Sequence, residues 1–244
     1  VLRKPIWEPY SLYRKFLGKK NERIGAGLAS EGGREGWGKG LGIWIRGNLF
    51  IPDPRKFWIK PSVRFLEKYV KEEGIDHVIT SGPPHSMHMI GLGLKRRTGI
   101  KWIADFRDPW TNIEFYSSLK LTRLADWWHH QLEQRVMNEC DSLITVSPTW
   151  ADEFRQSGVQ KVDVVYNGYD EDDFTSEPLP VTNGFTLIHT GSFSITRNHP
   201  GLWQALTEVR AESDEIRHRL KFLTLGTVDK SVGSSIKESG LAEV

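Results

Sequence analysis

The chain has 244 residues, 38% hydrophobic and 26% charged, enough for one large domain or one and a half ordinary ones. No apolar run reaches the roughly 18 residues of a membrane-spanning helix, and Val1–Lys4 leads into Pro5 and Trp7, not into an apolar signal core. The single cysteine, Cys140, excludes an internal disulfide framework, reads as a buried inert thiol and suits a reducing, cytoplasmic compartment.

The net charge of +2 conceals an asymmetry. Residues 1–70 carry 15 Lys/Arg against 6 Asp/Glu, whereas residues 151–184 carry 2 against 8. The basic arm also holds Trp7, Tyr10, Trp37, Trp44 and Trp58. A solvated face with aromatics packed beneath it and a surface for anionic membranes both fit this spelling. No DNA- or RNA-binding motif is present, so nucleic acid is not an expected partner.

Residues 21–42 contain eight glycines but no G-x-G-x-x-G between a strand and a helix, which predicts a flexible surface loop. Apolar spacing at Val63, Leu66 and Val70 predicts a helix from Pro61 to Glu73, ended by Gly74. A strand is expected over 75–80, a helix over 84–97 and a strand over 101–105. A long helix over 121–139 and a strand over 143–146 follow. Ser147 with Pro148 reads as an N-cap and first-turn pair for a helix closed by Gly158, and a strand over 162–166 completes the run. Such alternation predicts an α/β fold, a Rossmann-like parallel sheet with helices on both faces. Residues 170–184, rich in Asp and Pro, read as a linker. A strand over 185–190, a helix over 200–209, a strand over 220–225 and a helix near 232–239 then restart the rhythm. The expected domains are 1–178, containing the Gly-rich loop, and 179–244, the beginning of a second α/β domain.

In open parallel sheets, ligands bind beyond the carboxyl ends of the strands. Those ends hold Gly82-Pro83-Pro84-His85, then Asp105-Phe106-Arg107-Asp108-Pro109-Trp110, Ser147, Asn167-Gly168 and Gly191-Ser192. The amides opening the helix after Gly82 could hold a hydroxyl or phosphate oxygen. His85 reads either as a proton carrier near neutral pH or as a cap packed in its loop. Asp105, Arg107 and Asp108 read either as a sugar-hydroxyl site in front of Trp110 or as an internal ion pair stiffening the loop. Asn167-Gly168 predicts a sharp turn, since both residues tolerate positive φ. His77, His129, His130 and His189 show no metal-ligand pattern, and no metal site is expected.

The segment Val164-Val165-Tyr166-Asn167-Gly168-Tyr169-Asp170 followed by Phe174 resembles glycosyltransferase family 4, whose first domain ends in a strand, an Asn-Gly-x-Asp turn and a Phe. Gly82-Pro83-Pro84 and the run Asp105–Trp110 are similar to the branch that builds bacterial surface polysaccharides, and Val146-Ser147-Pro148 resembles the family's strand-to-helix serine. Leu187–Gly191 and Arg197-Asn198 resemble the opening of the family's nucleotide-sugar domain. The similarity spans nearly all of 60–244. Ser192 stands where the family usually places a basic residue, while Arg197 matches a second basic position.

The resemblance implies a GT-B fold, with a retaining transfer of a hexose-type sugar from a nucleoside diphosphate to an acceptor hydroxyl. It implies His85 and Asp105 as catalytic residues, with Gly82, Pro83, Arg107, Asp108, Asn167 and Gly168 binding substrate. Gly191, Ser192 and Arg197 would face the donor diphosphate. No cofactor beyond the sugar nucleotide is implied. The partners expected are the donor, a sugar or lipid-linked acceptor, and a peripheral contact with the inner face of the cell membrane. A nucleotide-sugar 2-epimerase on the same fold, or a non-catalytic sugar- or lipid-binding fragment, are the alternatives. The chain opens without methionine and stops after a helix-like segment. It is therefore expected to be a piece of a longer protein, inactive by itself.

Overall fold

The computed structural model describes residues 2, 3, 5, 37–174 and 184–241. The basic arm before residue 37, most of the Gly-rich stretch and the expected domain boundary near 178 therefore lie outside the described residues. The chain divides into two compact units, which the described residues represent by 37–169 and 170–241.

The first unit opens with α1 (Trp37–Leu49) and α2 (Lys56–Glu72). The Gly-rich stretch was expected to be loop throughout, yet its last residues form the first turns of α1. Helix α2 starts five residues earlier than expected. A turn at Asp53 is the reason: Lys56 N donates to Asp53 O at 3.0 Å and Trp58 N to Arg55 O at 2.8 Å. These bonds satisfy donors that open a helix, and Pro61 is left inside it.

Four strands follow: β1 (His77–Gly82), β2 (Lys101–Phe106), β3 (Ser142–Thr145) and β4 (Val162–Val164). They pair in that order, all parallel. The connections carry α3 (Ser86–Thr98), α4 (Arg123–Glu139) and α5 (Pro148–Gln156). This is a Rossmann-like α/β arrangement. Ser147 occupies the N-cap position of α5 in extended conformation, with Pro148 in the first turn, but its hydroxyl makes no capping bond.

Strand side chains alternate between faces. Thr80, Trp102, Ala104, Phe106, Leu143 and Thr145 are buried on one face, where Leu92 of α3, Val136 and Met137 of α4, and Ala151 and Phe154 of α5 pack. Full burial of side chains such as Phe106 or Leu143 contributes about 1.5–3 kcal/mol each. The approach is close: a Cβ at Gly91 would fall 2.3 Å from Trp102 Nε1, so only glycine lets α3 settle on the indole. That indole donates to Thr80 Oγ1 at 2.8 Å. The opposite face carries Ile79, Ile103, Asp105 and Ile144. The second helical layer expected there is not among the described residues, and Ile79 is 61% exposed.

The second unit has two parallel strands, β5 (Phe185–Thr190) and β6 (Leu220–Leu225), in register from Phe185–Leu220 to Thr190–Leu225. Helices α6 (Pro200–Glu212), α7 (Asp214–Arg219) and α8 (Lys230–Glu238) accompany them. Phe193, Trp203, Leu206, Leu220, Val232 and Leu241 form its core. No described helix is long and apolar enough to cross a membrane.

Candidate functional site

The carboxyl ends of β2, β3 and β4 frame a cavity of about 210 Å³ on the open face of the first unit, lined by Asp105, Arg107, Ile144, Val146, Val165, Tyr166, Asn167 and Gly168. Alternation along the strands builds it. Asp105 and Ile144 are register partners, so both point to this face, and the chain leaves the sheet after Val164 to supply the far wall. The strand expected to run to Tyr166 therefore ends two residues early, which frees Tyr166 and Asn167 to line the site.

Two hydrogen bonds hold its polar groups. Ser81 Oγ donates to Asp105 Oδ2 at 2.6 Å, and Arg107 Nη2 donates to Asn167 Oδ1 at 2.7 Å. Arg107 is also anchored through its backbone N–H, which donates to Gly82 O at 3.1 Å. The guanidinium thus engages the Asn167 amide instead of closing an ion pair with Asp105. A fixed carboxylate, a fixed guanidinium and a floor of Ile144, Val146 and Val165 beside the Tyr166 ring suit a small polyhydroxylated ligand.

Four of the expected first-unit site residues, Asp105, Arg107, Asn167 and Gly168, come together here. Gly82, Pro83, His85 and Asp108 do not line the cavity. The His85 ring stacks on Trp110, centroids 4.6 Å apart and 4° from parallel, and lies 6.2 Å from Phe106. Phe106 faces the helices while Asp105 faces away from them, so the expected catalytic pair stands on opposite faces of the sheet. Burial, with His129 nearby, pushes the His85 pKa down to about 3. The imidazole is neutral near pH 7, so it does not carry protons by titrating there.

The amides that open α3 are not an open anion site either. Ser86 N donates to Asp53 Oδ2 at 2.7 Å, Met87 N to Pro84 O at 3.0 Å and Met89 N to His85 O at 3.3 Å. Gly82 serves close packing: a Cβ there would fall 2.5 Å from Nε2 of the fully buried His88. Pro83 is exposed, between cis peptides on either side. Asp108 is half-buried; burial raises its pKa and Arg107 opposes the shift. Neither Asn167 nor Gly168 takes a positive φ, so their turn is not the left-handed one their spelling suggests.

The residues that sequence reasoning missed form a buried polar layer behind the Asp105–Trp110 segment. Glu133 of α4 accepts from Trp110 N at 3.1 Å, Thr111 N at 3.3 Å and Thr111 Oγ1 at 2.5 Å. Trp110 Nε1 donates to His129 Nδ1 at 3.1 Å. That bond fixes the tautomer, so His129 Nε2 donates to Gly47 O at 3.2 Å. Burial lowers the His129 pKa. A signal was present: Ala125, His129, Glu133 and Val136 share one helical face, and two polar residues on an inward stripe announce a buried network.

In the second unit, Gly191, Ser192 and Arg197 sit together at the carboxyl end of β5. Arg197 Nη1 donates to Ser192 O at 3.3 Å and Ser192 Oγ pairs with Thr227 Oγ1 at 2.9 Å. Gly191 has φ of +101° and its N–H donates to Leu225 O at 2.8 Å, so that amide is already committed. Among the described residues, no group of three or more His, Cys, Asp or Glu side chains is placed to hold a metal ion.

The parallel sheet has a Rossmann-like α/β fold, and its cavity lies beyond the carboxyl ends of the strands, where ligands bind in folds of this class. The family model for Glycosyltransferase Family 4 matches residues 27–173, more than half of the chain. The chain belongs to that family. No curated protein matches it. Among solved structures, it is similar to the S. aureus MnaA–UDP co-structure, at 14% identity and a TM-score of 0.37, covering 76% of this chain and 50% of that one. The present chain thus spans about half the length of that neighbour, and a likeness this distant carries no further argument.

Proposed function

We propose that this protein transfers a sugar from a nucleoside-diphosphate sugar to an acceptor hydroxyl in polysaccharide or glycolipid synthesis, with retention at the anomeric carbon. The observation that carries the reading is the cavity in which Ser81 holds the Asp105 carboxylate and Asn167 holds the Arg107 guanidinium, within a domain of glycosyltransferase family 4. Asp105 would accept from an acceptor hydroxyl. Arg107 would donate to a second oxygen, and the Tyr166 ring would cover a sugar face. Exposed Arg197, with Ser192 beside it, would neutralise charge developing on the leaving diphosphate. The reaction as proposed needs no metal or further cofactor. A lipid-linked acceptor would be met at the inner face of the cell membrane, where the basic, aromatic arm attracts anionic headgroups.

Among the described residues the second unit offers only two parallel strands around Arg197. We therefore expect the 244-residue chain alone to bind donor weakly and not to turn over. The test incubates the intact gene product, with the 244-residue chain beside it, with a panel of nucleoside-diphosphate sugars and saccharide acceptors. Glycosylated acceptor from the intact protein supports the reading. Epimerised free sugar nucleotide, or acceptor binding without turnover, refutes it. Comparable turnover from the 244 residues overturns the division of labour between the units.

A further inference from the structure

Helices α1 and α4 each turn large apolar side chains outward. On α4 the inward stripe carries the polar pair His129 and Glu133, whereas Leu124, Trp127 and Trp128, at i, i+3 and i+4, point to solvent. On α1, Gly42 and Gly47 are buried and Leu41, Trp44 and Leu49 are exposed. A Cβ at Gly47 would fall 2.6 Å from Leu121 Cδ2, so the small side must face inward. These six large apolar side chains are each 37–67% exposed. The Trp127 and Trp128 rings meet edge-on at 4.9 Å, so they add to one surface.

The two helices are held together. Asn48 of α1 accepts from Thr122 N at 2.7 Å and donates to Lys120 O at 3.2 Å, while Gly47 O accepts from His129 at 3.2 Å. The neighbouring charge is mainly basic. Arg46 is on α1, whose 13 residues include no Asp or Glu, and exposed Lys120 and Arg123 lead into α4. Two acids lie nearby, Asp126, which accepts from the Tyr116 hydroxyl at 2.9 Å, and exposed Glu114, against the three cations Arg46, Lys120 and Arg123. Tryptophan and leucine beside arginine and lysine, on helices with no sequence long enough to span a bilayer, match the chemistry of the headgroup layer.

We propose that the paired outward stripes of α1 and α4 form a docking surface for anionic lipid bilayers, with the leucines and indoles entering the headgroup layer and Arg46, Lys120 and Arg123 meeting lipid phosphates. The proposal deepens the reading of a lipid-linked acceptor by naming the face presented to the membrane. It is tested without donor or acceptor, so the two can fail separately.

The experiment sediments the 244-residue chain with vesicles of equimolar phosphatidylglycerol and phosphatidylcholine, and with vesicles of phosphatidylcholine alone. Binding to the first set, weakened at least about tenfold on the second, is expected from three basic contacts. The combined change Leu124→Ser, Trp127→Ser and Trp128→Ser removes side chains that are 40–67% exposed. It should weaken binding at least about tenfold while the variant still unfolds cooperatively. In the unmodified chain, lipids brominated near the headgroup should quench tryptophan fluorescence. No binding, equal binding by the triple variant, or no quenching overturns the proposal. So does a solution dimer that the triple change dissociates, since the stripes would then be a self-interface.

Discussion

Replacing Glu133 with alanine is the sharpest test of how the Asp105–Trp110 segment is held. The carboxylate is 7% exposed and accepts three hydrogen bonds, from two backbone amides and one hydroxyl. Each buried donor left without an acceptor costs about 1–3 kcal/mol. The three share one acceptor and are not independent, so a total of about 3–5 kcal/mol is the reasonable expectation. Against a typical stability of about 5–15 kcal/mol, that is a large fraction. Glu133→Gln keeps an accepting oxygen for the amides and should lose only about 1–2 kcal/mol. Urea unfolding of the two variants and the parent gives the answer, read as a shift of midpoint at unchanged slope. If Glu133→Ala unfolds within about 0.5 kcal/mol of the parent, the usual range of a surface change, the network does not hold the segment and the reasoning is wrong.

Other outcomes follow from the same geometry. His85 has a folded-state pKa of about 3 against an ordinary 6.5, so between those values the unfolded chain binds the extra proton. Stability is fully present above about pH 6.5 and falls by up to about 1.4 kcal/mol per unit for His85 as pH drops, with buried His88 acting in the same direction; urea midpoints at neutral and mildly acid pH should show this, and His85→Gln should make the fall shallower by the share of one group. Arg107→Ala should leave stability unchanged but lower kcat/KM of the proposed sugar transfer by about ten- to a hundredfold, with Arg107→Lys a poor rescue because the ammonium lacks the planar fork; steady-state kinetics on all three forms check it. At Gly226 the φ is +143° and a Cβ would fall 2.2 Å from Gly191 O. Gly226→Ala should therefore open the β5–β6 end by more than about 2 kcal/mol, seen as protease cleavage confined to the second unit.

Much of the fold was legible because its signals are local. The spacing of Val63 and Val70, the Ser147-Pro148 start of α5 and the strand-helix alternation depend on residues close in sequence, and each marks an element close to the one observed. Four carboxyl-end residues, Asp105, Arg107, Asn167 and Gly168, were legible for a related reason, since a parallel sheet places its strand ends on one side whatever their separation. The helix start at Lys56 was not legible, because an Asp53 turn decides it and Pro61 looks like a better beginning.

What the sequence by itself determined is the α/β order of elements and the residues at the strand ends. Which of those residues share a space was decided only in three dimensions. Asp105 and Phe106 are neighbours in sequence but point to opposite faces of β2, and His85 packs against Phe106, so it parts from Asp105. Glu133 reaches Trp110 across 23 positions, and Asp53 reaches the first amide of α3 across 33. Contacts of that range are chosen by how helices seat on the sheet. A buried donor takes whichever acceptor that packing brings within reach, and sequence spacing alone does not state which one it will be.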